Sequence, residues 1–589
     1  MKFERLFDVF YYQQENNPLP DAIAEKIKGE WVKYSTAEIL EQINAVSRGL
    51  YKLGIRPGDK IAIVSTNRSE WNFIDLGLLQ IGAINVPVYP NISIEDYRFI
   101  FSDAEVKLVF VSDKALYNKV KPLQTEINSL QNIYTFNEVE NAPHWKEILK
   151  EEATVPHDII EALMREVKPE ALATIIYTSG TTGTPKGVML SHQNIISNIK
   201  SALQVIPIET YNRTVSALPI CHIFERMVTY LFMYKGARIY YAERVESIGE
   251  NLREVKPHFF TTVPRILEKA YEKIMAKGHT LTGVKKQLFF WAHGLAEQYD
   301  TANPGSAFYR MQLALARKLV FKKWKEALGG EVNGIFCGAA ALQPRLARIF
   351  NGAGITVCEG YGQTESSPVI AVNRMEPEDS RFGTVGLPVP GVEVKISADG
   401  EILAKGPNVM MGYYKRPDLT AQAIDEDGWL HTGDVGTWVE GRFLKITDRK
   451  KELFKTSGGK YIAPQVIENQ FKESNYIEQI MIIGENKKTI SALIVPSFVN
   501  LEAWANEKGI NYTNNEELLK LPEVQKHYAS IRDGFNKKFS DVEKVKKFVL
   551  LPDEWSVDTG EMTPTLKLKR KVIMEKYKNV IQEIYHDEL

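Results

Sequence analysis

A chain of 589 residues with 73 basic and 74 acidic side chains is too long for one ordinary core, so two or more domains are expected. Its net charge of -1 gives no overall electrostatic case for a nucleic-acid partner. Cys221, Cys337 and Cys358 have no C-x-x-C spacing and are too few for a disulfide framework, which points to a reducing, cytoplasmic compartment. No segment reaches the ~18 uncharged apolar residues of a membrane span. His586-Asp587-Glu588-Leu589 spells a retention signal of the secretory lumen. With no signal peptide in the first residues, that match reads as chance.

Helix and strand patterns alternate from residue 35 to 111. Ser35 and Glu38 form a capping-box pair, and Ile39, Ile43, Val46 and Leu50 mark one helical face. Strands are expected over Lys60 to Ser65, Ala83 to Val88 and Val106 to Val111, with helices from about Ser69 to Ile81 and from Ser93. Such alternation predicts a parallel α/β sheet.

Ala173 to Met189 reads ATIIYTSGTTGTPKGVM. Its start is a buried strand by composition. Thr178 to Gly187 packs three glycines, five hydroxyl side chains, one proline and one lysine into ten residues, and is expected as a mobile loop. Such a loop suits a polyphosphate: Thr178, Ser179, Gly180, Thr181, Thr182 and Gly183 offer backbone and hydroxyl donors, and Lys186 a charge. A Walker A loop is excluded, because Pro185 stands at its second glycine and Gly187 at its Ser/Thr. A helix is expected from Gln193 onward. YTSGTTGTPKG resembles the phosphate-loop signature of the adenylate-forming enzymes, which include acyl-CoA ligases, luciferases and peptide-synthetase adenylation domains. Further motifs follow in the order that family requires, and the resemblance covers nearly the whole chain.

Leu218 to Arg226, LPICHIFER, is similar to the LPLxHxFER motif of the long-chain fatty-acid CoA ligases. The resemblance places His222 and Phe224 at an acyl pocket. Residues 266 to 330 are helical and basic, with Lys318, Lys322, Lys323 and Lys325 beside Leu319, Val320, Phe321 and Trp324. A solvated face is the plain reading, and contact with an anionic membrane surface the sharper one. Small residues Gly338, Ala339 and Ala340, after the strand Val332 to Cys337, leave room for an adenine ring. In VCEGYGQTE, Glu359 is placed in the ATP site with the rest of the motif. Tyr361 offers a ring for stacking, Gly360 and Gly362 permit close approach, Thr364 donates to phosphate, and Glu365 holds Mg2+.

Asp434 is the candidate for the ribose hydroxyls, and Arg449 adds a ribose or phosphate contact. Glu440 departs from the family pattern, which has proline at that hairpin turn. Asp448 to Glu452 reads as a solvated hinge. TPTLKLKR then places Lys567 at the family's catalytic lysine, with Lys569 as competitor. Gly458 falls at the position that lines the CoA thiol tunnel.

The resemblance implies an α/β fold. A large N-terminal domain of parallel-sheet subdomains spans 1–448, and a small α+β C-terminal domain spans 449–589 across a mobile hinge. It implies ATP-dependent activation of a long-chain fatty acid to an acyl-adenylate and transfer to CoA, with Mg2+ as cofactor and a homodimer as one assembly. The alternatives are delivery to a carrier-protein thiol and a non-catalytic lipid-binding relative.

Overall fold

The computed structural model describes residues 2–586 apart from 151–153, 180–184, 558 and 564–567; of Ser179 and Val245 only the backbone is described. The early alternation forms as expected. The helix Thr36–Lys52 starts with the Ser35/Glu38 capping box, and Ile94–Asp103 starts with a second box from Ser93 and Asp96. Lys60–Val64 lies between Ile84–Val88 and Val106–Val111, parallel to both. These strands are the centre of a seven-stranded sheet. It runs outward on one side through Asn132–Thr135 and on the other through Leu172–Ser179, Pro185–Ser191 and the two-residue strand Gly412–Tyr413.

A nine-stranded sheet faces the rest of the large domain, with Phe259–Thr262, Gly334–Cys337 and Val357–Gly362 as adjacent parallel strands. A smaller antiparallel sheet holds Glu393–Ile396, Glu401–Lys405, Leu430–Val439 and Phe443–Arg449. Its last hairpin explains the departure at Glu440. Glu440 and Gly441 have φ of 52° and 69°, and the Arg442 amide donates to Val439 at 3.1 Å, the pattern of a type I′ turn. Proline, fixed near -65°, does not fit that turn.

After Arg449 the chain builds a small α+β unit. It contains a short hairpin, Phe454–Lys455 with Tyr461–Ile462, and a sheet of Ile477–Ile483, Ile490–Pro496 and Val545–Leu550 flanked by helices. Its core, with Ile467, Phe471, Ile480 and Val524, is separate from those of the large domain. No helix among the described residues is long and apolar enough to cross a membrane.

Two expectations need correction. Thr178–Ser179 and Pro185–Gly187 are strand, not loop: they pair across a hairpin with Thr178 opposite Lys186. Of the apolar residues read beside the lysines of 318–325, Val320, Phe321 and Trp324 are buried in the core, and only Leu319 is exposed. Binary pattern alone did not say which side of that helix faces inward.

Candidate active site

The candidate phosphate hairpin stands on the strands Leu172–Ser179 and Pro185–Ser191. Gly180, Thr181, Thr182 and Gly183 lie outside the described residues, while Thr178 and Lys186 face each other at the hairpin's base. Pro185–Ser191 leads into the helix His192–Leu203, which Ser191 and Asn194 cap between themselves. A strand therefore separates the loop from the next helix, and no helix N-terminus directly follows the loop.

The Lys186 Nζ sits 4.9 Å from the centroid of the Tyr413 ring, and the Tyr413 hydroxyl donates to Glu365 Oε1 at 2.8 Å. Burial lowers the Lys186 pKa and Lys451 adds to the shift, while Glu365 opposes it. Glu365 stands on the turn Thr364–Ser366. Two contacts brace that turn: the Met410 amide on the Glu365 carbonyl at 2.9 Å and Asn408 Nδ2 on the Ser366 carbonyl at 2.8 Å. The arrangement presents a partly exposed carboxylate to the hairpin. A single hard oxygen donor of this kind fits Mg2+, which takes one or two carboxylates and completes its shell with phosphate and water.

Asp434 is pinned on three sides. Its Oδ2 accepts from the Tyr361 hydroxyl at 2.7 Å and from Gln363 Nε2 at 2.7 Å, and its Oδ1 lies 3.1 Å from Arg449 Nε. Strand pairing sets Asp434 opposite Arg449. Burial pushes the Tyr361 phenol well up, so the hydroxyl stays a donor to the carboxylate. Gln363 and Tyr413 were not assigned from sequence, because nothing local says which carboxylate each will reach.

Glu359 does not reach outward. Its Oε1 accepts the Leu342 amide at 2.9 Å, and burial pushes its carboxyl up to about 8. It braces the loop carrying Gly338, Ala339 and Ala340, in which Ala339 has a left-handed φ of 71°. A Cβ on Gly338 would lie 3.3 Å from the Phe224 ring, so the small-residue wall and the acyl candidate touch. A Cβ on Gly362 would lie 1.8 Å from the Pro368 carbonyl oxygen. That glycine is required by the chain's own packing. At Gly360 a Cβ would make ordinary contact, 3.5 Å from Val372.

His222 caps the helix Ile223–Lys235, its Nδ1 accepting the Phe224 amide at 3.3 Å, and its ring centroid is 6.5 Å from that of Tyr89. The Tyr89 hydroxyl is buried with no hydrogen-bond partner among the described residues. Burial pushes the Cys221 thiol up to about 12, so it holds little thiolate near neutral pH and is no nucleophile. Glu225 and Arg226 point into the core. Glu225 accepts from Ser216 and Thr261, each at 2.5 Å. Arg226 reaches Asp75 at 2.6 Å and Thr174 Oγ1 at 2.8 Å. Thr174 lies on the strand that enters the phosphate hairpin. One buried cation thus fixes the helix Ile223–Lys235 to the strand Leu172–Ser179.

Lys567 lies outside the described residues. Its neighbour Arg570 is anchored inside the small unit on Glu468 at 2.7 Å, and Lys569 is exposed. Gly458 is exposed in the turn after Lys455, where a Cβ would find only Thr456 Oγ1 within 4 Å, at 3.9 Å. Among the described residues, none of the other candidates lies within 4 Å of that Cβ position.

A large domain of two mainly parallel sheets and a smaller antiparallel one, followed by a small α+β unit, is the architecture of the adenylate-forming folds. Residues 11–414 match the AMP-binding enzyme family, and residues 452–589 match the AMP-binding enzyme C-terminal domain. The chain belongs to the AMP-binding enzyme family. It is 33% identical to the long-chain-fatty-acid–CoA ligase FadD15 of Mycobacterium bovis, over 98% of this chain and 96% of that one. It is 32% identical to the human long-chain-fatty-acid–CoA ligase 1, over 94% and 82%. The fold matches the crystal structure of the anthranilate CoA ligase AuaEII in complex with anthranoyl-AMP, with a TM-score of 0.74 at 16% identity over 97% of each chain.

Proposed function

We propose that this chain is an AMP-forming ligase that activates long-chain fatty acids and transfers them to CoA. The observation that supports the reading is the closeness of Phe224 to Gly338, where a Cβ on the glycine would lie 3.3 Å from the ring; on this reading the acyl motif borders the nucleotide walls. The names of its full-length relatives give the substrate class. In the first step the fatty carboxylate attacks the α-phosphorus of ATP, giving acyl-adenylate and pyrophosphate. In the second, the CoA thiol attacks the adenylate carbonyl and AMP leaves.

The first step joins two anions. At ~4 Å two unit charges repel by ~4 kcal/mol at an effective dielectric of ~20. Lys186 and the loop's donors take up phosphate charge, and Lys567 adds charge where the carboxylate meets the α-phosphate. Glu365 is the residue to hold Mg2+, which supplies further neutralisation of the phosphates when bound. Asp434 orients the ribose. A carboxylate has about four acceptor positions, and three are taken by Tyr361, Gln363 and Arg449. Two ribose hydroxyls therefore require one partner to yield, and Arg449, the more exposed, is the one at the hinge. Rotation of the small domain would exchange Lys567 for Gly458 between the two steps. The protein works in the cytoplasm, in peripheral contact with a membrane surface.

ATP–pyrophosphate exchange across acids from acetate to oleate tests the substrate class, and exchange confined to acetate overturns it. Free CoA, not holo-carrier protein, is expected to consume the adenylate. Asp434→Ala should raise the KM for ATP by an amount equivalent to ~1.5 to 3 kcal/mol. Lys567→Ala should abolish exchange yet still convert supplied acyl-AMP and CoA to thioester, and Gly458→Leu should do the reverse. Full exchange by Lys567→Ala would transfer the role to Lys569.

A further inference from the structure

The helical segment from Ala307 through the wide turn Arg317–Phe321 to Ala327 is apolar on two opposite sides. On one side Leu313, Ala316, Val320, Phe321 and Trp324 are buried in the large domain's second core. On the other, Phe308, Met311, Leu315 and Leu319 are 64, 63, 49 and 47% exposed. Their spacing of three, four and four residues puts them in one stripe along the helix. A solvent-facing row of four large apolar side chains is unusual, since such residues are ordinarily scattered singly over a surface.

The charges beside the stripe say what covers it. From Ala307 to Glu326 the only acidic residue is Glu326, against Arg310, Arg317, Lys318, Lys322, Lys323 and Lys325. Lys322 lies 3.8 Å from Glu326 and Arg317 donates to the Gly352 carbonyl. Among the described residues neither Lys318 nor Lys323 is paired with a carboxylate, and both are exposed. In a chain whose total charge is -1, this is a local concentration of one sign. The neighbouring helix Gly283–Glu297 runs antiparallel, with Tyr309 on the Leu295 carbonyl at one end and Phe289 against Trp324 at the other. Its first turn therefore sets Val284, 78% exposed, and Lys285 beside the lysine-rich end.

We infer that this stripe is a lipid-docking surface: Phe308, Met311, Leu315 and Leu319 enter the headgroup–acyl boundary of a bilayer while Lys318, Lys322 and Lys323 meet anionic headgroups. Apolar side chains flanked by cations on an exposed helix are the composition of an interfacial helix. A second copy of the chain fits less well. A two-fold contact sets the same patch against itself and brings lysines towards lysines with one glutamate to offset them. The inference rests on the peripheral contact proposed above and not on the ligation chemistry.

The test is co-sedimentation of the full chain with vesicles of phosphatidylcholine alone and of phosphatidylcholine with phosphatidylglycerol. The unaltered protein should partition onto the anionic vesicles and lose that binding as salt is raised. Met311→Glu with Leu315→Glu, at exposed positions the fold does not need, should lower partitioning at least tenfold. Lys318→Glu with Lys322→Glu and Lys323→Glu should lower it roughly 100-fold on anionic vesicles. All forms should make thioester equally well from detergent-dispersed acid. Unchanged partitioning of the Met311/Leu315 variant overturns the inference, as does failure of the unaltered protein to bind either vesicle. Loss of a dimer in that variant with vesicle binding intact also overturns it, and assigns the stripe to self-association. A protein that binds vesicles through the stripe but forms no acyl-CoA would sink the ligase reading alone.

Discussion

Arg226 and Arg265 are each surrounded by acceptors, one inside the large domain and the other where the two domains touch. Arg226 is wholly buried and bridges three elements through Asp75, Thr174 and Tyr230. Arg265, on the helix Pro264–Thr280, pairs with Glu268 on its own helix at 3.2 Å and crosses to the small domain to pair with Glu478 and with Glu554 at 3.0 Å. Lys269, one turn on, joins Glu554 at 2.5 Å and Glu272 at 3.1 Å. The two sites differ in what happens when the cation is lost. Asp75 has no second cation in reach among the described residues and would remain as a buried charge. Glu478 lies beside Glu272, and burial pushes its carboxyl up to about 7, so it can take a proton, while Glu554 keeps Lys269. A joint of this kind holds one orientation and is cheap to open; the Arg226 network cannot lose its cation alone without leaving a buried charge.

The largest effect separates them on stability. Arg226→Met leaves Asp75 uncompensated and should cost ~3 to 5 kcal/mol, read as a fall in the calorimetric Tm of the large domain. Adding Asp75→Leu should restore much of it. A small effect would mean that the network is ornamental and would break the contrast.

Next comes pH. Glu225 sits beside Arg226 in sequence but hydrogen-bonds only hydroxyls, and burial pushes its carboxyl up to about 7. The folded state therefore holds its proton more tightly than the unfolded chain, whose value is about 4.3. Stability from this group is fully present below the unfolded value and is lost as pH rises through about 7, in total roughly 4 kcal/mol. Glu225→Gln should flatten that part of the stability profile. An unchanged slope in denaturant titrations between pH 5 and 8 would remove Glu225 as its source.

The smallest effect on stability, and the most telling for the comparison, belongs to Arg265→Ala. A shift of about 1 kcal/mol or less is expected, because the remaining partners are partly solvated or can protonate. The ratio of the two half-reaction rates should change nonetheless, since one orientation loses its fastening. Equal Tm losses for Arg265→Ala and Arg226→Met would erase the distinction.

Much of the fold was legible because it rests on short-range rules. The capping box at Ser35, the helix from Ser93 and the strands from Lys60 and Val106 all formed where the residues imply. The ends of the phosphate segment were misread because glycine and threonine suit a loop by propensity, whereas pairing between Thr178 and Lys186 overrode that preference. Within the site, Asp434, Arg449, Tyr361 and Glu365 were nameable from motifs. Their partners were not: Gln363 and Tyr413 act on carboxylates 71 and 48 residues away in the chain. The exposed stripe was hidden for a related reason. A helix apolar on two sides looks in sequence like one that is simply apolar, and only packing reveals which side is covered.

The strand Pro185–Ser191 is flanked by Leu172–Ser179 on one side and by Gly412–Tyr413 on the other, and more than two hundred residues separate it from that second neighbour. On a ribosome adding about 5 to 20 residues per second, the hairpin's outer edge stays open for some tens of seconds before its cover is made. Tyr413, which holds Glu365 and faces Lys186, arrives in the same moment. A nascent chain interrupted before residue 412 carries an unpaired sheet edge and only part of the candidate site, and is for that interval a client for chaperones and proteases rather than an enzyme.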